Sequence, residues 1–316
     1  MSDLGIHLVV LEVTDRCNLK CIHCYNDGSQ GKDISHEDFE IVIKELKKVK
    51  PYYVTLSGGE PLLLGKWLFN IAEALRDICK KLLLTTNGLL ITKFPAQSFR
   101  IFDNVQISLD GPKDVHEKIR GKGTFERTLN AAKYLKDAGV NITFNMTIHV
   151  LNKDYLVETY EIARSLGIQL GIERMSTVGR GKDITRISAN EWKYLLKIAT
   201  EKKINCRDPL SFAFRKGIII KPNKICGGCT AGIASLVITP SLEIIPCVRL
   251  RIPVGNLKSR NLREIWLNSD IFNKLRDRAS FEKCGTCYYR NICGGCRAEA
   301  YAETGNYLGP DPLCWF

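Results

Sequence analysis

Strand-like and helix-like segments alternate over the first two-thirds of this 316-residue chain. Short apolar runs predict strands, and longer segments with apolar residues every three or four positions predict helices. The predicted strands are residues 6–13, 52–56, 81–85, 105–109, 142–150 and 168–174, and the predicted helices are residues 35–49, 66–78, 125–138 and 155–166. Short connections between such repeats predict a parallel sheet with right-handed crossovers. Eight repeats would close a barrel, so six predict an α/β fold with a partial (β/α)6 TIM-type barrel, open on one side.

The loops behind the second, third and fourth strands carry the polar and glycine-rich motifs. They are Ser57-Gly58-Gly59-Glu60-Pro61, Thr86-Asn87-Gly88 and Ser108-Leu109-Asp110-Gly111. Adjacent glycines let a backbone approach a ligand closely, and a glutamate accepts a hydrogen bond from an ammonium group. Each motif alone also fits an ordinary turn. Their occurrence behind successive strands, where such sheets place their chemistry, favours a functional site.

Three cysteines follow the first strand, at Cys17, Cys21 and Cys24. A four-iron, four-sulfur cluster normally takes four thiolates, so three thiolates would leave one iron open to a small molecule. A closed structural zinc site likewise needs four ligands. His23 would have to fold back across the loop to be the fourth. The spacing therefore favours an open iron–sulfur cluster, with zinc as the alternative.

The last third of the chain contains eight further cysteines, which is the count for two groups of four ligands. They are Cys226, Cys229, Cys247, Cys284, Cys287, Cys293, Cys296 and Cys314. Pairs separated by two residues are also typical of zinc ribbons, so spacing alone leaves zinc and iron–sulfur both open. The change in composition predicts a barrel domain at residues 1–205 and a small cysteine-rich domain at residues 206–316.

Composition limits the compartment and the partners. No apolar run approaches the roughly 18 residues of a membrane span, and the N-terminus resembles no signal peptide. Thirteen cysteines in such a chain favour metal ligation in the cytoplasm over disulfides, with Cys79 and Cys206 buried or incidental. The net charge of +12 is spread along helices. A dispersed charge is most often a solvated surface, and among partners it favours an acidic substrate or an acidic electron-donor protein over nucleic acid.

The cysteine loop and the three motifs together resemble the core of the radical SAM enzymes, over roughly residues 6–180. The resemblance implies that S-adenosylmethionine chelates the open iron. It implies that Gly59 and Glu60 hold the methionine amino group, that Ser108 and Asn145 contact the ribose, and that Arg174 contacts the carboxylate. Gly58 and Asn87 complete the expected cofactor-binding set. His23 departs from the aromatic residue usual before the third cysteine, although a planar imidazole can also pack near adenine.

The later cysteines resemble the SPASM extension, which carries two auxiliary four-iron clusters behind radical SAM barrels. The matching order is Cys229, Cys247, Cys284-x2-Cys287-x5-Cys293-x2-Cys296 and Cys314. Two departures are Leu242, where glycine is usual, and the two-residue gap before Cys296. The resemblance implies three [4Fe–4S] clusters. Beyond the one at Cys17, Cys21 and Cys24, the first auxiliary set is Cys226, Cys229, Cys247 and Cys296, and the second is Cys284, Cys287, Cys293 and Cys314.

Activity and partners follow from the same resemblance. Radical SAM enzymes reductively cleave S-adenosylmethionine to a 5′-deoxyadenosyl radical, which abstracts a hydrogen atom from the substrate. Relatives with a SPASM domain commonly modify peptides or proteins, and this is the main hypothesis here, with a ferredoxin- or flavodoxin-type electron donor. The segments Cys21–Tyr25 and Gly295–Ala298 resemble enzymes of tetrapyrrole side chains, so haem-pathway modification or maturation of another cofactor is the alternative. The chain begins almost at strand one, which leaves no room for an N-terminal peptide-binding domain. A zinc-binding nucleic-acid module is the non-enzyme alternative.

Overall fold

A computed structural model describes residues 4–26, 31–215, 217 and 224–316. Its described strands form one sheet in the order β10-β9-β8-β1-β2-β3-β4-β5-β6-β7. The strands are β1 (Leu8–Thr14), β2 (Tyr53–Gly58), β3 (Lys81–Thr86), β4 (Asn104–Ser108), β5 (Ile142–Ile148), β6 (Gln169–Arg174), β7 (Asn205–Cys206), β8 (Ser235–Ile238), β9 (Glu243–Ile245) and β10 (Gly255–Asn256). Strands β1 to β6 pair in chain order and in parallel, which confirms the predicted partial barrel.

Helices follow most of the barrel strands and continue into the C-terminal region. They are α1 (His36–Val49), α2 (Lys66–Arg76), α3 (Lys113–Arg120), α4 (Thr124–Asp137), α5 (Leu156–Ser165), α6 (Ala189–Glu201), α7 (Leu262–Asn268), α8 (Asp270–Arg276), α9 (Glu282–Gly285) and α10 (Arg297–Thr304). Helix α1 begins where Ser35 accepts a hydrogen bond from the Asp38 amide, as an N-cap residue does. Among the described residues, no helix is both long and apolar enough to cross a membrane.

Alternation along the strands separates an apolar outer face from a polar inner face. On β5, Ile142, Phe144, Met146 and Ile148 are buried in the hydrophobic core, and the residues between them are half-buried. Those intervening residues, Thr143, Asn145 and Thr147, are polar. Since successive side chains of a strand point to opposite faces, β5 presents polar groups to the barrel interior.

The chain after residue 200 extends both edges of the barrel. Strand β7 pairs in parallel with β6, and β8 pairs in parallel with β1, where Leu8 lies opposite Ser235 and Leu11 opposite Ile238. The cysteine-rich part therefore contributes strands to the same sheet as the barrel. These strands contain only two to four residues, too few for their alternation to be detected in the sequence. The boundary at residues 205 and 206 stays a prediction.

Candidate functional site

The loop after β2 packs directly on the start of the cysteine loop. The Gly59 amide donates to the Thr14 carbonyl over 2.7 Å, and the Glu60 amide donates to the Arg16 carbonyl over 2.8 Å. A Cβ atom at Gly58 would lie 2.0 Å from the Thr14 carbonyl oxygen, and one at Gly59 would lie 2.0 Å from that of Arg16. The paired glycines are thus required for the contact between these two loops.

Glu60 lies buried between the loops after β2 and β3. Its side chain is fully buried. Its carboxylate accepts hydrogen bonds from the Leu62 amide at 3.1 Å, the Thr86 hydroxyl at 2.7 Å and the Asn87 amide at 2.8 Å. Burial raises its pKa, against the lowering effect of these donors. This carboxylate therefore joins the loops after β2 and β3. A contact between Glu60 and the methionine amino group stays a prediction.

Side chains from two other barrel loops reach the cysteine loop. Asn87, behind β3, donates to the Asn18 side chain over 2.8 Å, and its amide nitrogen lies 3.9 Å from the Cys17 sulfur. Arg120, at the end of α3, places Nη1 3.8 Å from the Cys21 sulfur. Burial raises the pKa of the Cys21 thiol, and the Arg120 charge opposes that effect. The loop is therefore held by donors that also favour a thiolate.

Asp110 lies at the centre of a buried cluster of polar side chains beside the cysteines. Its carboxylate accepts from Arg120 Nε at 2.5 Å and from the Thr147 amide at 2.9 Å. Burial alone would raise the pKa of Asp110, but the charge of Arg120 holds it well below its usual range. The His23 ring lies 3.8 Å from this carboxylate, and burial lowers the pKa of His23 to about 3, so the imidazole is neutral. Within the described residues, His23 Nδ1 has no hydrogen-bond partner.

The segment Gly179–Asp183 covers the cysteine loop from the end of β6. The Arg180 amide donates to the Cys24 carbonyl, and Arg180 Nε donates to the Cys21 carbonyl, both over 2.9 Å. A Cβ atom at Gly179 would lie 2.5 Å from the Tyr25 carbonyl oxygen. Sequence analysis missed this contact, although the Gly179-Arg180-Gly181 motif follows a predicted strand and was available as a signal.

These loops enclose a space of about 150 Å³, called here the triad cavity. All three cysteines of the first loop line it, as do six of the seven predicted cofactor-binding residues; Glu60 does not. The six are Gly58, Gly59, Asn87, Ser108, Asn145 and Arg174. Arg120 also lines it. The structure thus brings the cysteine loop and the motif residues to one place at the C-terminal ends of the strands.

Arg174 lies beside this cavity, but its guanidinium is already bonded. Nη1 donates to both carboxylate oxygens of Asp311 at 2.8 and 3.0 Å, and Nη2 and Nε donate to Asp208. The alternation on β6 explains this, since Arg174 is buried with Ile172, whereas Glu173 is exposed to the interior and accepts from the Asn145 side chain at 3.0 Å. Neighbouring residues of a strand point to opposite faces, so Glu173 and Arg174 differ in their partners. The contact of Arg174 with the carboxylate of S-adenosylmethionine stays a prediction.

A second and larger space, of about 830 Å³, is called here the auxiliary cavity. Four cysteines line it, namely Cys226, Cys229, Cys247 and Cys296. No cysteine of the second predicted set lies among its lining residues. The four cysteines assigned to the first auxiliary cluster therefore line one cavity, including Cys226, which lies outside the seven-cysteine pattern. Their assignment to one cluster stays a prediction.

Charge interactions link three cysteines of the second set, and backbone amides donate to the sulfurs of Cys287 and Cys293. Burial raises the pKa of Cys284 first, and the charge of Cys314 raises it further. Burial raises the pKa of Cys293 to about 12, with a contribution from Cys284. The Gly295 amide donates to the Cys293 sulfur at 3.3 Å, and the Tyr289 amide to the Cys287 sulfur at 3.4 Å. Amide donors to sulfur are among the interactions that tune iron–sulfur clusters.

Asp311 connects the two sets of cysteines to β6. Its side chain accepts from the Cys296 amide at 2.8 Å, and its carbonyl accepts from the Cys314 amide at 3.0 Å. The same carboxylate pairs with Arg174. One buried residue thus contacts the last cysteine of each set and the barrel, a role that sequence analysis did not predict.

The thirteen cysteines all lie in described residues, and none of them forms a disulfide. Among the described residues, no three His, Cys, Asp or Glu side chains are arranged to hold a single metal ion. That is the arrangement that a zinc site would need. A cubane differs, because its thiolates bind separate irons. The thiols that line the two cavities, with amides and cations beside the sulfurs, fit this second kind of group.

Family models match both parts of the chain. The Radical SAM superfamily model matches residues 11–163, and the SPASM iron–sulfur cluster-binding domain model matches residues 221–288. The chain is 30% identical to the AdoMet-dependent heme synthase of Methanosarcina barkeri, over 97% of this chain and 95% of that protein. It is 30% identical to the mycofactocin maturase MftC of Mycobacterium tuberculosis, over 96% and 81%. It is 26% identical to the PqqA peptide cyclase of Bradyrhizobium diazoefficiens, over 98% and 86%.

A solved structure shares the fold. SuiB of Streptococcus suis, bound to its precursor peptide SuiA, superposes with a TM-score of 0.78 at 18% sequence identity. The match covers 98% of this chain and 76% of SuiB. At this identity the likeness establishes the partial barrel and the cysteine-rich region behind it.

Proposed function

This chain belongs to the radical SAM superfamily and carries a SPASM domain, and from that premise we propose that it is a peptide- or protein-modifying enzyme with three [4Fe–4S] clusters. S-adenosylmethionine and iron–sulfur clusters are the cofactors of this family. The observation that carries the proposal is the triad cavity, where three thiols and the motif loops converge. When bound, a reduced cluster supplies an electron of very negative potential, down to roughly −700 mV, for cleavage of S-adenosylmethionine.

We assign the open-iron site to Cys17, Cys21 and Cys24, and the two auxiliary sites to the sets of four defined above. The first auxiliary set is supported by the shared lining of the auxiliary cavity. The second is supported by the effect of the Cys314 charge on the pKa of Cys284 and by that of the Cys284 charge on the pKa of Cys293. Reconstituted protein should then contain about twelve irons per chain. Protein with zinc, or with about four irons, would contradict the assignment.

For S-adenosylmethionine we propose contacts from Gly58, Gly59, Asn87, Ser108 and Asn145, which all line the triad cavity. Arg120 takes the carboxylate role that sequence analysis gave to Arg174. It lines the same cavity and lies beside Cys21, and its Nε alone is used by Asp110. A planar guanidinium with further donors suits a carboxylate. Binding there would hold the cofactor's charged end next to the open iron.

A peptide substrate is supported by the polar interior of the barrel. Thr143, Asn145 and Thr147 on β5 and Glu173 on β6 present donors and acceptors of the kind that amide groups use. Two similar proteins are linked to peptides, namely the PqqA peptide cyclase and SuiB with its precursor peptide. Glu173 also lines the auxiliary cavity, where the first auxiliary cysteines lie.

Tetrapyrrole modification is the second candidate. It is favoured by the heme synthase match, which extends over nearly the whole of both chains. The auxiliary cavity, at about 830 Å³, is in the upper part of the usual size range for ligand pockets. The first candidate function modifies a peptide or protein, and the second modifies the side chains of a tetrapyrrole.

The test is substrate-dependent hydrogen abstraction by the reconstituted enzyme under anaerobic conditions. Precursor peptides encoded near this gene and an iron porphyrin with free propionates are supplied separately, with S-adenosylmethionine and reductant. We expect a peptide to increase 5′-deoxyadenosine formation and to change in mass. A mass change in the porphyrin alone would establish the second candidate. Absence of 5′-deoxyadenosine under every condition would contradict the radical SAM assignment of the triad cavity.

The electron donor that we propose is an acidic ferredoxin or flavodoxin, in the cytoplasm. The net charge of +12 supports an acidic partner, since charge complementarity accelerates association. Activity driven by a flavodoxin should fall as ionic strength rises from about 0.05 to 0.5 M. Activity driven by dithionite should change much less. Equal salt dependence with both reductants would contradict an electrostatically guided donor.

A further inference from the structure

The segment between Cys247 and Arg251 bridges the open side of the barrel. Arg251 donates from both Nη atoms to the Glu12 carboxylate on β1, over 2.9 and 3.0 Å. Arg249 donates from Nη1 to the Arg174 carbonyl on β6, over 2.7 Å. One short segment is thus tied to both β1 and β6. We call residues 247–251 the bridging segment.

The bridging segment lies where the two cavities meet. Glu173, Val248 and Arg249 line the triad cavity and the auxiliary cavity alike. The bridging segment also contains Cys247, one of the four cysteines of the auxiliary cavity. A molecule at this junction would lie between the cofactor site and the first auxiliary cluster.

Arg249 differs from its two neighbouring arginines in its partners. Arg251 is matched by Glu12, and Arg174 is matched by Asp208 and Asp311. Within the described part of the chain, no carboxylate lies within 4.0 Å of Arg249, and its hydrogen bond uses Nη1 alone. Nε and Nη2 are therefore available. A guanidinium with two adjacent donors is the group that binds a carboxylate in bidentate fashion.

Glu173 supplies an acceptor at the same junction. Its Oε1 accepts from Asn145, and the side chain is exposed to the interior. The charges of Glu173 and Arg249 interact, but the two groups do not form a close ion pair. The junction therefore offers a cation and an anion that do not neutralise each other directly, which suits a ligand with a carboxylate and a nearby N–H group.

We propose that Arg249 binds a carboxylate of the substrate at the junction of the two cavities, with Glu173 as the acceptor for a neighbouring N–H. The inference deepens the proposed function and rests on it. A peptide would supply a C-terminal or side-chain carboxylate, and a tetrapyrrole would supply a propionate. The shared chemistry is a carboxylate, held so that the carbon atoms next to it face the triad cavity.

The competing explanation is that Arg249 only balances the charge of the first auxiliary cluster. Cys296 and Cys247 both contribute to the raised pKa of Arg249. An arginine with that role would be needed for iron binding and not for a carboxylate ligand. The two explanations therefore predict different properties for a variant that lacks the charge.

The experiment measures binding of glutarate labelled with ¹³C in its carboxyl groups to anaerobic holoenzyme. Line broadening of the carboxyl resonance reports binding without any need for turnover, so failure of catalysis cannot imitate failure of binding. We expect Arg249→Gln to reduce the broadening at least tenfold with iron content unchanged, and Arg249→Lys to restore part of it. Arg263→Gln removes the same charge from an exposed position and should retain the broadening.

The other outcomes overturn the proposal. Absence of broadening with the wild-type enzyme, or equal broadening with Arg249→Gln, would mean that Arg249 binds no carboxylate. Loss of iron from the Arg249→Gln variant would mean that the Arg249 charge serves to balance the first auxiliary cluster. Competition then identifies the source, using a peptide with a free or an amidated C-terminus and a porphyrin with free or methylated propionates. If glutarate binds and neither free acid displaces it, the assignment of this site to the substrate is wrong.

Discussion

The cysteine loop after β1 and the C-terminal cysteine region are held in place in different ways. Side chains and amides from several barrel loops, those of Asn87, Arg120 and Arg180, hold the first loop. In the second region the cysteine-bearing segments hold each other. The Cys226 amide donates to the Asn291 carbonyl over 2.9 Å, and the Cys229 amide donates to the Cys293 carbonyl over 3.0 Å.

A single arginine illustrates the mutual support in the C-terminal region. Arg278 donates to the Gly227 and Cys229 carbonyls over 2.9 and 2.7 Å, and to the Arg290 carbonyl over 2.7 Å. The local apolar cluster around Cys296 is small, with Leu250 and Ala298 as its other buried members. Thiolates that must come together to hold a cluster couple its binding to folding. We therefore expect the barrel to fold without its cluster, and the cysteine-bearing segments of the C-terminal region to need theirs.

The largest expected effect comes from removing the first set of thiols. We expect the combined change Cys17→Ala, Cys21→Ala and Cys24→Ala to abolish cleavage of S-adenosylmethionine and to lower iron content by about four per chain. The C-terminal irons should remain, because barrel loops rather than this cluster position the surrounding structure. Iron analysis and 5′-deoxyadenosine quantification test this. Loss of all iron would mean that the two regions fold as one unit.

Removal of all iron by a chelator under reducing conditions tests the comparison directly. Hydrogen exchange should stay slow in β1 to β6, whose pairing does not involve the clusters. It should increase strongly in residues 224–231 and 278–316, where the cysteine-bearing segments support one another. Equal exchange in the loaded and iron-free proteins would show that this region is stable on its own hydrogen bonds.

Asp311 is the residue through which the C-terminal cysteines contact the barrel. Asp311→Ala leaves the buried Arg174 guanidinium with one of its two carboxylates and removes the acceptor of the Cys296 amide. Breaking a buried ion pair costs about 3–5 kcal/mol, and we expect a loss of unfolding free energy near the lower value. Denaturant unfolding measures it, with the exposed Asp277→Ala as control. If the unfolding free energy falls no more than in the control, the contact of Asp311 with Arg174 contributes little to stability.

Removal of the last ligand tests the second auxiliary site separately. Cys314→Ala should retain dithionite-driven 5′-deoxyadenosine formation, because the triad cavity contains no residue of the second set. Turnover of the true substrate should fall sharply, through a lost electron path or a loosened pocket. Product and 5′-deoxyadenosine are quantified together in folded protein. Full product formation would make this cluster dispensable.

The features that could be predicted from sequence are those with a strong local signal. Six strands with regular spacing and two cysteine patterns were enough for the fold and the family. The individual cofactor contacts were harder. Arg174 and Glu173 are neighbours on β6, and only the pairing with β5 shows which one faces the interior. Glu60 was predicted as a cofactor-binding residue, and its donors at Thr86 and Asn87 come from a loop that meets it only in the folded chain. Strands of two to four residues after residue 200 carry too little pattern to be recognised.

The smallest effect concerns the support beneath the first cysteine loop. In Glu60→Gln, an NH₂ group replaces one carboxylate oxygen. This NH₂ group then faces at least one of the three groups that donate hydrogen bonds to the carboxylate. An unsatisfied buried donor costs about 1–3 kcal/mol, which we expect as a loss of unfolding free energy. The affinity for S-adenosylmethionine should fall less than tenfold, because Glu60 does not line the triad cavity.

Glu126→Gln, at an exposed position, is the matched control. A loss of affinity of a hundredfold without loss of stability would return Glu60 to direct contact with the cofactor. It would also mean that the first loop depends on its ligand as much as the C-terminal region depends on its clusters.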